Sequence, residues 1–216
     1  FGSVYESLLE TELTFAQEDL VIDKKTSLFQ PAKTNEEVIV EANTIFTQNT
    51  SGKRKETASY YTKSFAVDHL LDRSLEPALK DHLKRLDAMD DKDAAENFFD
   101  IKIADISMGS GHFLVAAIDR VERALENYRN KRSLPEVIAE LQKLRTSSKK
   151  ILGEFGEQYE IEDAQLTRRL IAKRCIFGVD LNPMAVELAR LSIWIHTFVP
   201  GLPLSFLDRN LVIGNS

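Results

Sequence analysis

The sequence predicts an α/β fold built on parallel strands, and three observations lead there. Residues 101–106 form a short β-branched run followed at once by Ser107, Met108, Gly109, Ser110 and Gly111. Leu114, Ile118, Val121 and Leu125 then recur at helical spacing. Residues 175–181 read as a buried strand ending in an acid, Asp180. Strand, glycine turn and helix are the opening of a βαβ unit.

Taken in order, the chain opens with a short helical pattern at Val4, Leu8 and Leu9. Strand character follows around 20–22 and 37–46, the second stretch alternating at Val38, Val40 and Ala42. Residues 49–56 are polar and basic, a loop by composition. A helical pattern begins at Ser64, expected as its N-cap, with Val67, Leu71 and Leu75 on one face. Pro77 is expected to kink or restart that helix before Leu79, Leu83 and Leu86. The acidic stretch 87–96 reads as a solvated linker. Residues 130–173 are charged and helical, with Val137, Ile138, Leu141 and Leu144 at helical spacing. Asn182 and Pro183 supply an N-cap and a first-turn proline for a helix apolar at Met184, Leu188, Leu191 and Ile195. A last strand is expected at 210–213. The organisation expected is a helical and strand region at 1–63, a helical segment and linker at 64–98, and an α/β core at 99–216.

Composition narrows the function classes. The 216 residues are 43% hydrophobic and 29% charged, with a net charge of −6. An acidic average argues against a surface dominated by a basic, phosphate-binding groove. One cysteine, Cys175, excludes an internal disulfide framework and a cysteine zinc site. It reads as a small hydrophobe at the head of a buried strand. No apolar run approaches a membrane-spanning length, and the opening residues are not expected to be a signal peptide. The four histidines show no metal-ligand spacing. The start at Phe1 and the stop at Ser216 are read as those of an excerpt from a longer protein.

In a parallel α/β sheet, ligands sit beyond the carboxyl ends of the strands. Asp105 with Gly109 and Gly111, Asp180, and Asn215 all fall at expected strand ends. Glycines let a ligand lie against backbone. A carboxylate ending the second strand selects a nucleoside by accepting from both ribose hydroxyls. Asp105 beside the turn would repel a pyrophosphate and attract an ammonium, which points to a nucleoside carrying an amino acid: S-adenosylmethionine. The third glycine of the dinucleotide fingerprint is missing, since position 114 is Leu, and so is the phosphate-loop lysine. Asp180 lies 69 positions after Gly111 instead of the usual distance of about 20. The helical stretch near 130–173 is therefore expected as an insertion.

These segments resemble the cofactor-binding part of DNA adenine-N6 methyltransferases, in particular the large fused enzymes of type IIG restriction–modification and the methyltransferases of BREX phage-defence systems. Residues 1–10 (FGSVYESLLE) resemble the family's helical opening. Residues 54–63 (RKETASYYTK) are similar to its RKxSGSYYTP segment, which lies against the methionine end of the cofactor. Residues 104–114 (ADISMGSGHFL) resemble DPAMGSGHFL, the main cofactor loop. Residues 177–189 (FGVDLNPMAVELA) nearly match the ribose-binding segment, and 208–216 (DRNLVIGNS) resemble the run-up to the GNSL strand end that faces the adenine. The resemblance implies a Rossmann-like S-adenosylmethionine-dependent methyltransferase fold, present in part, with a helical N-terminal region and a helical insertion. The cofactor-binding residues it implies are Tyr60, Tyr61, Thr62, Asp105, Met108, Gly109, Ser110, Gly111, His112, Phe113, Asp180, Leu181 and Asn215. Ala58 and Lys63 stand where the family has Gly and Pro, and Ile106 replaces the Pro after the loop acid, which implies a looser turn and a weaker hold on the cofactor.

The family presents the flipped adenine with an Asp, Asn or Ser followed by two prolines and an aromatic residue. That tetrapeptide is absent from this sequence. In family order it would follow Ser216, so no catalytic residue is assigned here. The implied partner is double-stranded DNA, through the parent protein, with target-recognition and nuclease segments elsewhere. The implied location is a prokaryotic cytoplasm. Rival readings are a methyltransferase-like scaffold without activity, a nucleotide-dependent dehydrogenase or kinase, and a methyltransferase for another acceptor. Tyr60 and Tyr61 also read as core aromatics, Trp194 and Phe198 as core, His196 as a satisfied or solvent-facing histidine, and Lys53, Arg54 and Lys55 as solvated.

Overall fold

The computed structural model describes residues 11–23, 29–33, 36–49, 62–154, 159–203 and 205–215. The chain divides into two compact units, Phe1–Tyr60 and Tyr61–Ser216. The helical pattern expected at 1–10 and the basic loop at 50–56 lie outside the described residues.

The first unit holds two small antiparallel pairs. Strand β1 (Thr11–Phe15) pairs with β4 (Ile45–Asn49), and β2 (Leu20–Ile22) with β3 (Phe29–Pro31). The strand expected at 20–22 is present. That expected at 37–46 is not: Val40 makes only an isolated bridge to Leu20, and the regular strand starts at Ile45. A tight turn at Asn43, with φ of 62°, separates the two, and the Asp19 carboxylate accepts the Ala42 amide there at 2.8 Å.

In the second unit, α1 (Ser64–Asp87) buries Val67, Leu71, Leu75, Leu79, His82 and Leu86, one stripe at helical spacing. Two expectations are corrected here. Lys63 stands at the N-cap, so Ser64 is already helical, and the helix runs through Pro77 without a restart. Pro77 lies on the exposed side, while buried leucines before and after it hold one continuous face against the core. Arg120 ties α1 to the next long helix, donating to Asp72 at 2.6 Å and to Glu76 and Asp68 at 3.1 Å.

The expected linker is also corrected. Asp91–Asn97 is a helix, α2, capped by Asp90, whose side chain accepts the Asp93 amide at 2.9 Å. It leads into buried Phe98 and Phe99. The Phe98 carbonyl lies 3.2 Å from His82 Nε2, a tie between α1 and the end of α2.

Strand β5 (Ile103–Asp105) precedes α3 (His112–Arg129), α4 (Pro135–Leu152) and α5 (Asp163–Arg174). Strand β6 (Ile176–Asp180), α6 (Pro183–His196), a 3-10 turn (Ser205–Arg209) and β7 (Leu211–Ile213) complete the described chain. The three strands form a parallel sheet in the order β5-β6-β7, with Ile103 opposite Ile176 and Asp180 opposite Ile213. The fold is thus mixed α/β, with six helices and a three-stranded parallel sheet among the described residues. Helices α4 and α5 stand between α3 and β6, where the sequence calls for an insertion.

Ile103, Ile176, Gly178 and Leu211 alternate onto one face of the sheet and are buried. Ala104, Phe177, Val179 and Val212 alternate onto the other and are half-buried or exposed. On α6 the inward residues are Ala185, Val186, Ala189 and Ile193. Met184, Leu191 and Ile195, expected to mark its apolar face, point to solvent, and so does Phe198. Trp194 is half-buried. No helix among the described residues is long and apolar enough to cross a membrane.

Candidate functional site

The carboxyl ends of the three strands gather most of the residues that the sequence singles out. Asp105 ends β5, Asp180 ends β6, and Asn215 lies exposed two residues beyond β7. Between the first two runs the turn 106–111. Asp180 bridges them: one carboxylate oxygen accepts the Gly109 amide at 2.8 Å, and the other accepts the Asn182 amide at 2.9 Å. The Met108 amide donates to the Val179 carbonyl at 3.1 Å. The turn is therefore fastened to the end of β6 by a carboxylate and a backbone bond.

Packing fastens it a third time. Met108 is 4% exposed, and its sulfur lies where a side chain on Gly178 would begin: a Cβ built there falls 2.2 Å from the sulfur and 3.1 Å from side-chain carbons of Leu114 and Leu211. Met108 thus places its side chain in the core, and no part of it lines the cleft described below. Gly178 is not among the expected site residues, although a glycine inside an apolar strand is itself a sign of close approach.

Both turn glycines have positive φ, 53° at Gly109 and 78° at Gly111, a region costly for other residues. Their surroundings differ. A Cβ on Gly111 would meet that of Ala189 at 3.1 Å, so Gly111 lets the start of α3 approach α6. A Cβ on Gly109 would meet nothing within 4 Å. Gly111 is the N-cap of α3, and no side chain caps that helix.

A cleft of about 340 Å³ opens beside Asp105. Helix α1 contributes Val67, Leu70 and Ser74, the end of β5 and the turn contribute Ala104, Asp105, Ile106 and Ser107, and α3 contributes Phe113. Thr62 lines it as well; Tyr60 and Tyr61 lie outside the described residues. The α1 residues were not foreseen as site residues. Their signal was positional, since α1 begins two residues after Thr62. Ile106 is 63% exposed at the cleft rim. Asp180, Asn215 and Leu181 lie outside this cleft, and Leu181 is 68% exposed. Ser110 and His112 are half-buried on the turn and at the first position of α3.

Burial weighs on the Asp105 carboxylate. Desolvation pushes the Asp105 carboxyl above its ordinary value; the Ser107 amide, donating at 3.0 Å, pulls it back, and the neighbouring charge of Asp180 raises it further. Two acids around one glycine turn make a site for a cationic or hydroxyl-bearing ligand and a poor one for a pyrophosphate.

Other groups fall to structure. Cys175 is buried, its thiol pushed up to about 12 by desolvation, which suits a packing residue and not a nucleophile. His196 pairs with Asp119 at 2.7 Å. No group of three or more potential metal ligands occurs among the described residues. A larger cleft, about 780 Å³, opens between α4, α5 and the 3-10 turn. None of the expected site residues lines it, and its Arg174 is paired with Glu140. The chain matches no protein-family model, no curated protein and no solved structure.

Proposed function

We propose that this chain is the S-adenosylmethionine-binding part of a DNA adenine-N6 methyltransferase of a restriction–modification or phage-defence system, with a Rossmann-like fold present in part. The observation that carries the reading is the pair of acids, Asp105 and Asp180, set around a positive-φ glycine turn at the carboxyl ends of parallel strands. Dinucleotide sites use the same place in a sheet but leave the turn open to phosphate. Here the nearby charges are negative.

The residues present fit the cofactor. An ionised carboxylate offers about four lone-pair sites; backbone amides use two on Asp180, which leaves two for the two hydroxyls of a ribose. Asp105 faces a cleft of about 340 Å³, where an ammonium would relieve its desolvation. Val67, Leu70 and Phe113 give that cleft apolar walls for a thioether-like chain. Asn215 lies exposed beyond β7, and on this reading it meets the adenine edge. S-adenosylmethionine, when bound, supplies an electrophilic methyl group. The chain's own part is to bind and orient it; presenting the adenine in double-stranded DNA falls to other segments of the parent protein, in a prokaryotic cytoplasm. The adenine acceptor rests on the resemblance of the motifs alone.

The test is calorimetric titration of the chain with S-adenosylmethionine, NAD and ATP, with Asp105→Asn alongside. Saturable binding of S-adenosylmethionine alone, weakened at least tenfold in Asp105→Asn, is expected. Binding of NAD or ATP instead would move the chain to another enzyme class. Binding of none of the three by a folded chain would favour the scaffold reading.

A further inference from the structure

Asp180 is asked to do more than its place at a strand end suggests. Both of its oxygens hold backbone amides, and one of these belongs to Gly109, 71 residues away in the chain. The turn so held continues directly into the cleft: Ile106 and Ser107 line it, and Asp105 is anchored to it through the Ser107 amide. Gly109 has positive φ, and a Cβ built there would meet nothing within 4 Å. The Asp180 carboxylate is the side-chain hydrogen bond that ties Gly109 of the turn to the end of β6.

We infer that Asp180 is a positioning residue for the glycine turn as well as a ribose acceptor, so that nucleoside occupancy and the shape of the amino-acid cleft are coupled through one carboxylate. Ribose hydroxyls and the Gly109 amide draw on the same two oxygens. A cis-diol donating to Asp180 shares its negative charge and weakens the bond to Gly109, which relaxes the turn toward Ser107 and Asp105. Adenosine and methionine halves then do not bind independently. The coupling rests on the S-adenosylmethionine reading; the clamp on Gly109 does not.

The nine glycines make the test direct. In the full chain labelled with 15N-glycine, the Gly109 amide is followed by chemical shift and hydrogen exchange, with Gly153 and Gly201 as references. Exchange at Gly109 is expected to be at least tenfold faster in Asp180→Ala, with the references unmoved, and intermediate in Asp180→Asn, whose amide oxygen still accepts. Should Asp180→Ala fail to fold, Asp180→Asn carries this arm. In the unmodified chain, adenosine should shift the Gly109 resonance, and a nucleoside lacking both ribose hydroxyls should not. Methionine, which does not reach Asp180, should bind several-fold more weakly to Asp180→Asn. A protected Gly109 amide in the folded variants overturns the clamp. Unchanged methionine affinity beside lost adenosine affinity overturns the coupling and leaves the ribose contact standing. If the unmodified chain binds neither methionine, adenosine nor S-adenosylmethionine, the functional reading fails and takes the coupling with it, while exchange at Gly109 still decides the clamp.

Discussion

Asp105 and Asp180 end neighbouring strands of one sheet, yet their circumstances are opposite. Asp180 has a backbone amide on each oxygen and completes the frame around the turn. Asp105 accepts one amide, is desolvated, and feels the charge of Asp180, so its carboxyl is pushed up. The same side chain at the same structural position serves once as framework and once as a group held at a disadvantage. Groups of the second kind are where proteins trade stability for function. The contrast predicts that changes around Asp180 damage the fold first and changes at Asp105 damage binding first.

The sharpest break of the framework is Gly178→Ala. Its Cβ would fall 2.2 Å from the Met108 sulfur and 3.1 Å from Leu114 and Leu211. Overpacking of this kind costs about 1–3 kcal/mol. In a chain of this size that is a fall in Tm on the order of 2–10 °C, readable by thermal denaturation. Because Met108 holds the turn, S-adenosylmethionine affinity should fall as well. An unchanged Tm would mean that Met108 swings aside freely and is no anchor.

The two turn glycines come next. Gly111→Ala combines a left-handed backbone, worth about 1–2 kcal/mol, with a contact at 3.1 Å to Ala189. Gly109→Ala has the backbone term alone, since its Cβ meets nothing within 4 Å. Denaturant midpoints should therefore rank Gly111→Ala below Gly109→Ala. Affinity should not follow that ranking: the open space over Gly109 is where a ligand would approach, so Gly109→Ala should lose S-adenosylmethionine binding although it keeps more stability. If the two variants lose stability equally, the approach of α3 to α6 does not depend on Gly111.

This pattern also explains what could be read from the sequence. The turn, both acids, and the Asn182 cap with its first-turn proline were legible because local chemistry dictates them: positive φ needs glycine, and a helix start needs a cap. The inward face of α6 was not. Hydrophobicity pointed to Met184, Leu191 and Ile195, but the close approach at Gly111 admits only small residues, and Ala185 and Ala189 turn inward. The acid-rich stretch around 90 misled in another way. Its charges suggested a linker, whereas Asp90, Asp91 and Asp93 cap α2 and complement its N-terminus. Pro77 was overruled by leucines packed on both sides of it. In the first unit, Leu13, Phe15 and Ile45 are strongly exposed, so these apolar residues of β1 and β4 do not mark a buried face.

The smallest expected stability effect is the one that bears most on function. The carboxyl of Asp105 titrates above its unfolded value, so the folded chain holds its proton more tightly than the unfolded chain does. Its contribution is therefore most favourable below the unfolded value and is lost as pH rises through the raised one. Where pH ionises Asp105, its carboxylate is desolvated and at a disadvantage, and Asp105→Asn, which keeps an acceptor for the Ser107 amide, removes that disadvantage. Asp105→Asn should raise the Tm of the ligand-free protein at pH 7 by a few degrees at most. The gain should shrink as pH falls into the acid range where Asp105 protonates. With S-adenosylmethionine in excess the order should invert, because only the carboxylate can meet an ammonium. Thermal shifts of both proteins at two pH values, with and without the ligand, check all three signs. If Asp105→Asn destabilises the empty protein at neutral pH, Asp105 belongs to the framework with Asp180, and the contrast between the two strand ends is lost.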